Sequence, residues 1–167
     1  MKTFSDNQGR TWTVTINVEC IKRVKTLLGV NLLDAIEGEL VERLVTDPVL
    51  LCDCVYAICK PEAEARGITD EDFGRAMAGD AIEHACTALL EELVDFFPEP
   101  KRRVLAKAIE RLRQLEAKAI QLASARLDDP QWEAKIAEAI AEIELPRETP
   151  GDSSGNWPES SASTPAG

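Results

Sequence analysis

DPVLLCDCVYAICK (residues 47–60) places Cys52, Cys54 and Cys59 within eight positions, and its reading decides what kind of molecule this is. A metal or redox motif would make the segment a chemical site. A helix would make it part of a core. Asp47-Pro48 gives an N-cap followed by proline at the first helical position, a strong start signal. On a helix each residue advances about 100°, so Cys52 and Cys54 point about 160° apart and cannot share an ion. Cys52 and Cys59 share a face, but Leu51, Val55 and Ile58 surround them. Zinc needs four converging ligands, commonly in C-x2-C pairs, and the spacing here is C-x-C-x4-C without a nearby histidine. The segment reads as a core helix that stops at Pro61.

Outward from it the chain is largely helical. Aromatic residues make up 5% of 167 residues, and the aliphatic composition favours helix-on-helix packing. The start is different. TWTVTINV (11–18) alternates Trp12, Val14, Ile16 and Val18 against Thr11, Thr13, Thr15 and Asn17, a half-buried strand. KTF (2–4) supplies a second short strand and SDNQGR (5–10) the reversal, so a hairpin is expected.

Helical periodicity begins near Glu19, with Cys20 or Ile21, Val24, Leu27 and Leu28 as its stripe and Gly29 as its stop. NLLDAIEGELVERLVT (31–46) reads as one helix, or as two broken at Gly38. Residues 69–98 open with Thr69 and Asp72 in a near capping box and carry Phe73, Ala76, Met77, Ala81, Ala85, Ala88, Leu89 and Phe96. Gly79 is a candidate interruption and Pro98 the end. In 101–127, Leu105, Ala108, Leu112, Leu115, Ala119 and Leu122 repeat at heptad spacing. Asp129-Pro130 starts a last helix with Trp132, Ile136, Ile140 and Ile143, expected to fold back and fill that seam.

The expected fold is therefore mainly α: a short N-terminal β-hairpin packed on a helical bundle (1–98), a C-terminal helical hairpin (99–145), and a disordered Pro/Ser/Gly-rich tail (146–167). Five cysteines, an odd number, suit reduced thiols. MKTFSDNQGRTW has no apolar segment of the kind a secretory signal needs, and no run reaches the roughly 18 apolar residues of a membrane span. A soluble intracellular protein is expected.

Net charge is −11, and residues 61–100 hold most of the excess, with two basic side chains against eleven acidic ones. Such a surface repels nucleic acid. It is either a solvated face or a docking face for a basic partner. His84 is the single histidine, and Cys86 points away from it around the helix. Asp70/Asp72 and Glu91/Glu92 suit helix dipoles and solvated faces better than acid–base chemistry. With no phosphate loop and no paired nucleophile and base, neither catalytic residues nor a cofactor nor a metal are expected.

The order of features, carried by DPVLLCDCVYAICKPEAEARGIT (47–69) and DEDFGRAMAGDAIEHACTALLEELVDFFP (70–98), resembles the tail assembly chaperones of long-tailed bacteriophages and prophages. The D-E-x-F helix start, the G-D-A-I-E step and the D-F-F-P ending are its elements, and the likeness covers about residues 9–98. The 99–145 helices depart from the simplest members. The resemblance implies a non-enzymatic cytoplasmic protein that coats the tape-measure protein until tail-tube subunits assemble, and that is absent from the finished virion. Many such proteins have a second, frameshifted form. Expected partners are the tape-measure protein, the tail-tube protein and a further copy of the chain, without nucleic acid or membrane. Phe73, Glu91, Glu92, Asp95, Phe96 and Phe97 are the candidate partner-binding residues, Phe96 and Phe97 serving either contact or core. The rival readings are an acidic DNA mimic or regulatory binding protein, and a structural component of the particle.

Overall fold

A computed structural model describes residues 1–37, 39–128 and 130–144. Two strands, β1 (Lys2–Ser5) and β2 (Thr11–Val14), precede helices α1 (Val18–Leu28), α2 (Glu39–Thr46), α3 (Pro48–Arg66), α4 (Asp70–Ala76), α5 (Asp80–Phe96), α6 (Lys101–Leu127) and α7 (Pro130–Glu144), with a 3-10 helix at Leu32–Glu37. The chain divides into two compact units, one running from Met1 to Ile120 and the other starting at Gln121. The mainly α character and the N-terminal hairpin match expectation. The expected disordered tail (146–167) lies outside the described residues.

The hairpin is antiparallel, with Phe4 opposite Trp12 and Lys2 opposite Val14. Phe4, Trp12 and Val14 turn inward and are buried. Burying an aromatic of this size contributes roughly 2–3 kcal/mol before entropy is counted. Strand pairing ends at Val14, four residues short of the expected end, because β1 offers only four partners. Burial still alternates through Ile16, and then Asn17 caps α1 by accepting from the Cys20 amide at 2.8 Å. Val18 is thus the first helical residue and 61% exposed.

The outer edge of β2 is closed by α3. The Thr13 amide donates to Glu62 Oε2 at 3.0 Å, and Thr11 O accepts from Arg66 Nη1 at 2.8 Å. These bonds account for the main correction to α3. The helix does not stop at Pro61 but continues to Arg66, and Gly67 caps it in the left-handed region (φ 65°). Proline removes one intrahelical hydrogen bond, a cost of about 3 kcal/mol. The last turn offsets that cost by pairing Glu62 with Arg66, closing the sheet edge and burying Ala63. Asp47 caps the other end, accepting from the Val49 and Leu50 amides.

Residues 31–46 take the two-element form, with Gly38 itself outside the described residues. Residues 69–98 are interrupted at Gly79 (φ 54°, ψ −129°). The hairpin turn fastens this break: Asn7 donates from its amide to Ala76 O and from its side chain to Ala78 O.

The core of the first unit gathers the inward faces of the hairpin and α1–α5, with Trp12 and Phe73 in edge contact at 4.9 Å. It also takes in Leu105 and Ile109, so the unit extends past the expected boundary at 98. Beyond them the expected seam is not buried. Leu112 is half-buried, and Ala108, Leu115, Ala119 and Leu122 are exposed. In the second unit Trp132, Ile136 and Ile140 are exposed.

Candidate functional site

Leu90 and Val94 lie one turn apart on α5, and Glu91 and Asp95 repeat that spacing beside them. On α6, Ala106, Ile109, Glu110, Arg113, Gln114 and Ala117 fall on one face. The two helices leave an open groove of about 490 Å³ between these faces, with Lys2 at its edge. Its floor is aliphatic and its rim charged. Arg102, from the first turn of α6, donates to Asp95 O and Phe97 O at 3.1 Å each, tying α6 to the last carbonyls of α5. Arg113 donates to Thr87 Oγ1 at 3.1 Å further along.

Lys2 Nζ stands 3.3 Å from Glu91 Oε2 and 3.6 Å from Asp95 Oδ2. The hydrogen bond from Lys2 to Glu91 and the charge of that carboxylate, with Asp95 adding to it, hold the Lys2 ammonium above its ordinary range. The pair is solvent-facing and contributes little to stability. It leaves the rim with a net negative character, since Glu110 lies on the α6 side.

The expected contact residues separate. Glu91 and Asp95 stand exposed on the groove rim. Phe73 is fully buried against Trp12 and Tyr56, so it contacts no partner in the folded chain. Phe97 is core, and Phe96 is half-buried with its ring in edge contact with Phe97. Glu92 is a correction of another kind. Rather than joining a solvated face, it is buried and anchors the hairpin. Its Oε1 accepts from the Ile16 amide at 3.3 Å, and its Oε2 lies 2.6 Å from the Met1 amine without hydrogen-bond alignment. The groove members on α6 were not anticipated. Their signal was in KRRVLAKAIERLR, whose Ala106, Ile109, Arg113 spacing marks a second apolar-to-basic face beside the heptad one.

The cysteine segment is helical. Cys54 and Cys59 are buried and Cys52 is half-buried. Burial, with the charge of Asp53, pushes the Cys54 thiol up to about 12 and Cys52 to about 11. Burial and Glu62 push Cys59 to about 12. Thiols so placed are neutral at physiological pH and are weak nucleophiles and poor ligands. Among the described residues no three His, Cys, Asp or Glu side chains are grouped to hold a metal ion. His84 is exposed on α5. No described helix is long and apolar enough to cross a membrane.

Compared with protein-family models, curated proteins and solved structures, the chain matches none. The groove's geometry and chemistry therefore carry the functional reading.

Proposed function

We propose that this chain holds a polypeptide rather than transforming a substrate, acting as a tail assembly chaperone that keeps a phage tape-measure protein soluble in the host cytoplasm and is left out of the virion. The observation that supports the reading best is the open groove between α5 and α6, with aliphatic Leu90, Val94, Ile109 and Ala117 flanked by Glu91, Asp95 and Glu110. An amphipathic helix lays its apolar face into a groove of this kind, and basic residues on its flanks meet the acidic rim. A long helical partner presents many such faces in series. Weak, repeated engagement suits a coat that tail-tube subunits must later displace.

Co-expression with a tape-measure protein tests the proposal. The wild-type chain should raise that protein's soluble yield severalfold. Val94→Glu, which puts a charge on the groove floor, and the double reversal Glu91→Lys/Asp95→Lys should each remove most of the gain. Unchanged solubility with the wild-type chain would sink the chaperone reading.

A further inference from the structure

The face of α6 opposite the groove is exposed except at Leu112, which is half-buried against the core of the first unit. From Arg113 to Leu127 every side chain is exposed, including Leu115 at 60% and Leu122 at 57%. A helix of that length standing in water is marginal on its own, so an apolar stripe along it calls for a cover. Leu112, Leu115, Ala119 and Leu122 are spaced 3, 4 and 3, with Ala108 one position earlier in the same repeat. This is the a/d pattern of a coiled coil, in which leucine at d favours two strands.

The flanking charges specify what lies opposite. With Leu112 and Ala119 at a and Leu115 and Leu122 at d, Arg111 and Lys118 fall at g, and Glu116 falls at e. In a parallel pair the g residue of one helix meets the e residue of the next heptad on the other. Arg111 then faces Glu116 of the second copy, twice by symmetry. An antiparallel pair would set Arg111 and Lys118 of the two copies along the same edge, where they repel. Arg111 and Glu116 are exposed, and neither has an ion pair among the described residues. The core of each first unit lies on the Leu105–Ile109 side of α6, about a quarter-turn from this face. A two-fold axis along the helices therefore leaves both cores clear of each other.

We propose that a second copy of this chain pairs in parallel along the Ala108–Leu122 face of α6, in register, with Arg111 of each copy against Glu116 of the other. The interface is isologous. With little more than two heptads it is weak, so monomer and dimer exchange in the micromolar range. The pairing stands independently of the groove reading, because it uses the other side of α6.

Sedimentation equilibrium of the full chain from about 1 μM to about 500 μM reads it directly. The mass should rise with concentration from 18.3 kDa toward twice that value. Arg111→Glu alone and Glu116→Arg alone should each weaken association roughly tenfold, and the two together should restore it. Leu115→Asp should abolish it while leaving the thermal midpoint at a few micromolar unchanged, since Leu115 is 60% exposed and lies outside the core of the first unit. Val94→Glu, on the groove side, should leave the dimer intact. A mass fixed at one chain across the series would overturn the proposal and leave the face to a different protein. Dimerisation in which the double reversal fails to rescue would overturn the parallel register.

Discussion

Asp6 organises the hairpin turn with one carboxylate. Its Oδ1 accepts from the Gln8 and Arg10 amides at 2.9 Å, and its Oδ2 accepts from Trp12 Nε1 at 2.9 Å and Arg10 Nε at 2.6 Å. Burial raises the cost of charge there, but the hydrogen bonds from Trp12, Arg10 and the backbone outweigh it and hold the carboxyl below its ordinary value. A depressed folded-state pKa stabilises the fold fully above the ordinary carboxylate value of about 4, and that contribution is lost as pH falls through the depressed value. Asp6→Asn keeps the shape but turns an amide N–H toward Trp12 or Arg10, both donors. It should cost about 2–4 kcal/mol at pH 7. Urea denaturation of both proteins near pH 7 and near pH 3 measures the difference, which should shrink at the lower pH. An equal gap at both would mean the charge on Asp6 contributes nothing.

At the scale of elements, two glycines, one inside α4 and one in the break after it, have opposite roles. Gly79 sits at φ 54°, ψ −129° between α4 and α5, a region that side chains disfavour strongly. Gly74 is inside α4 at ordinary dihedrals, with open space where a Cβ would stand. Gly79→Ala should therefore destabilise by about 1–3 kcal/mol, and Gly74→Ala should stabilise by up to about 1 kcal/mol. Thermal melts of the two variants decide it, and a stabilised Gly79→Ala would show that the break between the helices is not fixed by this backbone. Local chemistry made much of this legible beforehand. Asp47-Pro48, Thr69, Gly29 and Gly79 are signals a helix carries in its own residues, and each acts where it was expected. Pro61 misled because its local cost is offset by Glu62 and Arg66 reaching β2, contacts some fifty residues away in the chain. Asn17 misled because a residue that continues an alternating strand pattern also makes a good N-cap. Glu91 and Glu92 are indistinguishable by type. Only the packing of α5 against the hairpin sends one to the groove rim and buries the other beside Ile16.

Across the whole molecule, burial ends long before the helices do. Ile109 is the last buried residue and Leu112 the last half-buried one among those described, although α6 and α7 extend to Glu144. The core of the first unit thus holds no described side chain later than Leu112, and residues 113–120 of that unit are exposed. A chain ended after Leu127, which lacks α7 but keeps the Ala108–Leu122 face, should unfold at low concentration within about 2 °C of the full chain. Its far-UV helical signal should fall by the share that α7 contributes. The comparison belongs at a few micromolar, where pairing along α6 adds little by mass action. At higher concentration both chains should melt later and by the same increment, because both retain the pairing face. A drop of about 5 °C or more at low concentration would mean that α7 supports the core after all, since a loss that large in a domain of this size corresponds to more than 1 kcal/mol.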